Sequence, residues 1–316
     1  MICGHTWEKS HDSARIWIGM VVAMVLAVTH GPVLAQMLPE TRVGAVQTPV
    51  GGPARFPARQ FSSKVSLEVW VLVNKSERMR RIGETSGGHT LEIPACEAWW
   101  VAPAGARVAD VVSEVRVQGI PGLDLGGKTT DDDLTQLLGL TKLEALSLTS
   151  TKVTDAGVER LRGLTGLRTL NLSYTKVTDV GVAHLTVMAG LQTLDLGGTQ
   201  VTNAGLAHLR DMTGLQSLSI FRTEVTDEGL EHLKRLRGLR QINLQGTKIT
   251  DAGLLHLEGL TELQTLSLSY TKVTDAGLGH LSRLTALQRL DLQGTKVTEV
   301  GVAEFQRRLP GIEIKH

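Results

Sequence analysis

Residues 122–129 read GLDLGGKT, which fits the pattern G-x-x-x-x-G-K-[ST] without a mismatch. In a phosphate-binding loop of that pattern the glycines leave backbone N–H groups bare, the lysine reaches the terminal phosphates, and a helix opens at the Lys-Thr pair. Here Leu123 and Leu125 fall inside the string, and Asp131, Asp132 and Asp133 follow where they would oppose a bound phosphate. A second candidate for chemistry is a ladder of imidazoles, His184, His208, His232, His256 and His280, which would suggest zinc. A third is a column of acids, Asp155, Asp179, Asp251 and Asp275, each preceded by threonine, which would suggest calcium.

All three belong to a repeat. From Leu143 to Pro310, seven consecutive units of 24 residues run without insertion; two are LQTLDLGGTQVTNAGLAHLRDMTG (191–214) and LQTLSLSYTKVTDAGLGHLSRLTA (263–286). The units are built on apolar residues at positions 1, 4, 6, 11, 16, 19 and 22. The L-x-x-L-x-L half alternates with period two and predicts a strand. The G-L-x-x-L-x-x-L half has the spacing of a helix or helical turn. GLDLGGKT aligns with TLDLGGTQ (193–200) and RLDLQGTK (289–296), so residues 120–142 read as an irregular first repeat, one residue short. The supposed phosphate loop is then itself a strand, with Leu123 and Leu125 inward.

In a repeat protein, features common to every unit belong to the architecture, and features that break the repeat are the better functional candidates. The Thr-Asp pair fits a helix N-cap followed by an acid in the positive first turn. Gly at position 15, from Gly157 to Gly301, marks a tight chain path in every unit. Two zinc-bound nitrogens lie within roughly 3.5 Å of each other, whereas packed helices sit about 8–10 Å apart. The histidines lack a third ligand as well, so the column reads as solvated or partly packed.

A single unit buries too little apolar surface to offset the ordering of its chain, so the units must stack. Stacking pairs their strands in a parallel sheet and predicts an α/β solenoid, strands on the concave side and helical segments on the convex side. This pattern and period resemble the leucine-rich repeat. The T-D-x-G-L segment is similar to the cysteine-containing type found in the recognition arms of F-box proteins and in many bacterial repeat proteins. Thr151, Thr175, Thr199, Thr223, Thr247, Thr271 and Thr295 occupy the place where such repeats carry Cys or Asn. The resemblance covers residues 104–316 and implies a bacterial leucine-rich repeat protein, with the Thr hydroxyl serving the turn backbone. It implies a fold more than a function. No F-box-like helical segment precedes the repeats, so ubiquitin-ligase adaptor activity is not carried over.

The remaining chain divides as follows. Residues 16–28, IWIGMVVAMVLAV, have the length of a signal-peptide core and fall short of the roughly 20 residues that span a bilayer. Residues 1–35 are expected to be a signal peptide cut at Ala35–Gln36, or alternatively an uncleaved anchor. Residues 36–63, with Pro39, Pro49, Pro53 and Pro57, read as a linker. A small β-rich segment is expected over 64–103: Val65, Leu67, Val69, Val71 and Val73 alternate, and TLEIPACEAWWVA (90–102) adds a second β-like run. Trp99 and Trp100 read as its packing. Val108, Val111, Val112 and Val115 predict an N-terminal capping helix over 104–119, stopped by Gly119, and residues 311–316 a closing strand. Once the leader is removed only Cys96 of the two cysteines remains, so a disulfide or Cys-based zinc site is not expected.

A net charge of +1 gives no reason to expect nucleic acid. Lysines at position 10 (Lys152, Lys176, Lys248, Lys272 and Lys296) form a basic rim beside the acid column. Strand positions 3, 5, 7 and 8 are expected to line the concave face and are mostly small or polar: Ser147, Thr169, Asp195, Ser219, Asn243, Ser267, Asp291. Tyr174, Phe221, Arg222 and Tyr270 break that pattern. At about 4.8 Å per strand the two tyrosines lie roughly 19 Å apart, and Tyr and Arg are the types that anchor interfaces. No nucleophile–base pair, paired catalytic carboxylates or dinucleotide loop stands out. The sequence therefore predicts an extracytoplasmic (periplasmic or secreted) or N-terminally anchored, non-enzymatic protein without cofactor or metal. It would bind a protein partner through its concave face; the alternative is an anionic glycan or envelope polymer held by the lysine rim. Membrane contact is expected only if the N-terminal segment stays uncleaved.

Overall fold

The computed structural model describes residues 55–72, 80–85, 88–96 and 98–316. The expected signal peptide, most of the linker and Val73 lie outside the described residues.

Each unit turns its alternating half into a three-residue strand and its second half into a short helical turn. The strands Thr169–Asn171, Thr193–Asp195, Ser217–Ser219 and Gln241–Asn243 pair in parallel without slippage, so that Leu170 faces Leu194, Leu194 faces Leu218 and Leu218 faces Ile242. The period-two alternation fixes that register, because a one-residue slip would turn every buried leucine to water. The convex side carries α-helical turns such as Asp179–Leu185 and Asp251–Leu254, the latter continued by the 3-10 turn Leu255–Leu257. Few residues remain in a unit after its strand and turn, so longer helices do not fit. The final unit departs from the pattern: its position 22 is Arg308, the helix extends over Glu299–Arg308, and Leu309 turns inward instead.

The irregular first repeat loses its residue from the turn. Leu125 keeps the inward position after strand Gly122–Asp124. Thr129 then takes the buried place of Val153, and its carbonyl accepts the Lys152 amide as the Val153 carbonyl accepts that of Lys176. Gly122, the first glycine of the phosphate-like string, lies against the preceding strand, where a Cβ would stand 2.4 Å from the Trp100 Cβ. The string is a packed strand and turn with both leucines buried.

The N-terminal segment is joined to the solenoid. Its strands are β1 (Arg59–Ser62), β2 (Leu67–Leu72), β3 (Arg80–Thr85), β4 (Thr90–Ile93) and β5 (Ala98–Pro103). β1 and β4 form an antiparallel pair, and β2 lies antiparallel between β3 and β5. β5 crosses through helix α1 (Val108–Gln118) to pair in parallel with the first repeat strand, Val101 opposite Leu123. Among the described residues, twelve strands thus form one sheet that runs from β3 to the terminal strand Glu313–Lys315. Helix α1 buries Val111, Val112 and Val115 and ends at Gly119, whose φ of 62° is the left-handed cap that glycine adopts without strain.

Two expectations change here, and one strand is added to them. The linker gives way to strand at Arg59, because Phe61 is buried edge-on against Trp99 with ring centroids 5.4 Å apart. The run 90–102 divides into β4 and β5 on either side of Pro94 and Cys96, proline being unable to donate to a ladder. β3, RRIGET, was not legible because it lacks apolar alternation. Cys96, Trp99 and Trp100 are all buried. No helix among the described residues is long and apolar enough to cross a membrane.

Candidate functional site

The features common to every unit form a ladder between units. The Asp155 carboxylate accepts the Thr178 amide (2.8 Å), the Thr178 hydroxyl (2.6 Å) and the Gly181 amide (2.9 Å) of the next unit. Asp131 holds Thr154 in the same way, Asp179 holds Thr202, Asp227 holds Thr250, Asp251 holds Thr274 and Asp275 holds Thr298. In one unit Asn203 replaces the acid; its oxygen accepts the Thr226 amide and its NH2 donates to the Thr226 hydroxyl. The position-15 glycines are required by this ladder. A Cβ on Gly181 would lie 2.4 Å from Asp155 Oδ1, and one on Gly301 2.1 Å from Asp275 Oδ1. The acids therefore join units, a role the helix-capping reading did not foresee. The threonine at the helix start also caps, as where the Thr178 hydroxyl accepts the Val180 amide.

Thr175 donates its hydroxyl to the Leu172 carbonyl (2.6 Å), and Thr151, Thr223, Thr247, Thr271 and Thr295 make the same bond. Threonine serves the turn as the resemblance implied. Of the histidine column, His280 Nδ1 meets Glu258 Oε1 at 2.8 Å and His184, His232 and His256 are half-buried. Among the described residues, no three His, Cys, Asp or Glu side chains converge in a way that would hold a metal ion. The position-10 lysines are exposed; Lys248 pairs with Glu224, which interrupts their row.

The concave floor differs from expectation. Ser147, Asn171, Asp195, Ser219 and Asn243 are buried by their neighbours on the sheet face, and several are committed to their own turns. Asn171 accepts the Ser173 amide (2.8 Å), Asp195 that of Gly197 (2.9 Å) and Asn243 that of Gln245 (3.0 Å). Burial pushes the Asp195 carboxyl up to about 6, against the opposing pull of the Gly197 amide and the Ser219 hydroxyl. Toward the C-terminal strand the face opens into a hollow of about 290 Å³ edged by Arg289, Asp291, Glu313 and Lys315.

The four residues that break the repeat lie on the rim, in the turns at the strand ends, rather than on the strands. Position 8 is left-handed in every unit: Ser150 (φ 57°), Tyr174 (55°), Gly198 (65°), Arg222 (51°), Gly246 (67°), Tyr270 (57°) and Gly294 (68°). The geometry carries the hydrogen-bond ladder past the strand, since the Tyr174 amide reaches the Gly197 carbonyl and the Tyr270 amide that of Gln293. Glycine suits this conformation; a side chain there is strained by about 1–2 kcal/mol. Alternate units nonetheless carry Tyr174, Arg222 and Tyr270, each lying over the position-8 glycine of the following unit. A Cβ on Gly198 would sit 2.6 Å from the Tyr174 ring, and one on Gly294 2.7 Å from the Tyr270 ring. Phe221 reaches back over Gly197 to meet Tyr174 edge-on, centroids 5.4 Å apart. The tyrosines remain 43% and 65% exposed. The sequence held a signal for this strained position in Gly198, Gly246 and Gly294, one in every second unit.

Parallel in-register strands, a ladder linking each unit to the next and one continuous core define a solenoid of the interaction-repeat class. The chain has the fold of a leucine-rich repeat solenoid. A family model described as leucine rich repeat matches residues 237–297, and a second of the same description matches residues 139–161 and 164–185. Among solved structures it is similar to bacterial members. An internalin (inlF) from Listeria monocytogenes shares 23% identity with a TM-score of 0.50, covering 65% of this chain and 63% of the internalin. Internalin C2 from the same organism shares 25% identity with a TM-score of 0.53, covering 67% and 86%. The chain thus spans less than two thirds of the first internalin's length, and these likenesses concern the fold. No curated protein matches the sequence.

Proposed function

We propose that this is an exported, non-enzymatic protein that binds another protein at the rim of its concave face, through Tyr174, Phe221, Arg222 and Tyr270. The observation that carries the reading is the left-handed backbone at Tyr174, Arg222 and Tyr270, where sister units use glycine. Retained strain beside exposed aromatic rings is characteristic of functional surfaces, and aromatic and arginine side chains dominate interface energetics. The lysine rim favours an anionic polymer less, because Glu224 breaks the row and pairs with Lys248.

The test is a crosslinking pull-down from the native cell envelope, comparing wild type with Tyr174→Gly/Arg222→Gly/Tyr270→Gly. Glycine is the sister-unit residue and relieves strain, so the variant keeps its fold. A protein captured by wild type and lost from the variant supports the reading; equal capture overturns it. Capture of a polysaccharide or other anionic polymer that survives in the glycine variant and is lost with the lysines would instead favour the polymer. Export through residues 1–35 predicts a mature chain that begins at Gln36, which N-terminal sequencing reads directly.

A further inference from the structure

We propose that the rim strip of Tyr174, Arg222 and Tyr270 docks a polyproline II segment carrying acidic residues between its prolines. This rests on the protein-binding reading and names the kind of partner that reading leaves open. The strip repeats every second strand, or about 9.6 Å at about 4.8 Å per strand. A polyproline II helix presents the same face every three residues, about 9.3 Å. Between Tyr174 and Tyr270 the two periods drift apart by only ~0.6 Å, so prolines at i, i+3 and i+6 would meet Tyr174, Arg222 and Tyr270 in turn. An α-helix presents a face every seven residues, about 10.5 Å, and drifts by ~1.8 Å over the same distance. A helix is also about 10 Å wide, whereas the strip is made only of positions 7 and 8 of each turn.

A β-strand finds no ladder here. The amides of Ser150, Tyr174, Gly198, Arg222, Gly246 and Tyr270 are each engaged by a carbonyl of the following unit. Recognition must therefore come from side chains, which suits a ligand whose own backbone stays solvated. Proline rings on tyrosine are the usual contact of such ligands. Charge specifies the rest. Two residues beyond the strip in the same turns, Lys176 and Lys272 are exposed, and Lys296 continues the row. Among the described residues none of these three lysines takes part in an ion pair, unlike Lys248. A ligand side chain on the face turned toward them is best acidic.

The test uses the full chain and a labelled peptide, Pro-Ala-Glu-Pro-Ala-Glu-Pro, followed by fluorescence anisotropy. Saturable binding is expected, weakened about tenfold by Tyr174→Gly/Tyr270→Gly, a variant whose circular dichroism must match wild type and whose thermal midpoint must not fall below it. A peptide with one alanine inserted in each turn should lose a similar factor, since its second and third prolines leave the strip. Lys176→Gln/Lys272→Gln should reduce the salt dependence and the preference for Glu over Gln in the peptide, leaving the remainder to Arg222 and Lys296. The proposal is overturned if the peptide does not bind, if the inserted peptide binds as well, or if the glycine variant binds unchanged. Rim-dependent binding of an amphipathic helix or of polygalacturonate in its place overturns it too. Failure of the peptide with continued rim-dependent capture in the pull-down sinks only this inference; loss of both sinks the protein-binding reading.

Discussion

Replacing Gly181 with alanine tests the ladder that joins the units. The added Cβ would stand 2.4 Å from Asp155 Oδ1 and 2.7 Å from Val177 Cγ1. Ordinary contact requires the carboxylate to retreat by about 1 Å. Oδ1 accepts the Thr178 and Gly181 amides at 2.8 and 2.9 Å, and that retreat carries both beyond hydrogen-bonding length. Hydrogen bonds to a charged group contribute about 1.5–3 kcal/mol each. With the groups half-buried, the lower end applies, and two lost bonds cost about 3 kcal/mol. Alanine returns about 0.5–1 kcal/mol of helix propensity, so the net loss is about 2–2.5 kcal/mol. Urea denaturation followed by circular dichroism measures it. Gly259→Ala, where nothing lies within 4 Å of the new Cβ, is the control and should be neutral or slightly stabilising. In an Asp155→Ala background Gly181→Ala should cost measurably less, because the clashing oxygen is gone and only the Val177 Cγ1 contact remains. A loss below about 1 kcal/mol in the wild-type background, or an equal loss in both, would refute the account.

Further outcomes follow from the same geometry. Burial raises the Asp195 pKa to about 6 from 3.8, so the folded state holds its proton more tightly than the unfolded one. This group's contribution is most favourable below pH 4, declines as pH rises through 6 and is flat above that. Asp195→Asn, which places in this unit the residue its sister units carry at Asn171 and Asn243, should abolish the decline. It should gain on wild type by about 3 kcal/mol between pH 4 and pH 7 in parallel denaturation curves. At position 270 glycine should be more stable than alanine by about 1 kcal/mol, reversing the usual order because φ is 57°; equal thermal midpoints would count against the strain. Thr223→Val removes the bond to the buried Ile220 carbonyl and should cost about 1–3 kcal/mol by thermal melting, while Thr223→Ser should recover most of it. Gly197→Ala places a Cβ 1.9 Å from the Phe221 ring and should displace the aromatic pair, weakening partner capture while helical content holds.

The sequence by itself determined the repeat, and with it the solenoid. Seven in-phase copies of one alternation can bury their leucines only by stacking, so Leu170, Leu194 and Leu218 had to fall in register. The same alignment showed GLDLGGKT to be a strand, and the one-residue deficit of its repeat was visible, though its location in the turn before Thr129 was not. Contacts between units were hidden, because they depend on residues 23 or 26 positions apart meeting in space. That is why Asp155 looked like a helix-start acid and Gly181 only like a tight spot, when each requires the other. β3 and the junction of β5 with the first repeat were likewise decided by packing, since RRIGET carries no alternation and Trp100 sets its neighbour at Gly122. The candidate site was half legible. Tyr174, Phe221, Arg222 and Tyr270 stood out as breaks in a pattern, but their left-handed backbone and their seat over the next unit's glycines came only from the turn geometry. The strands end at position 5, and the chain must reverse hand at position 8 to keep its amide bonded to the following unit.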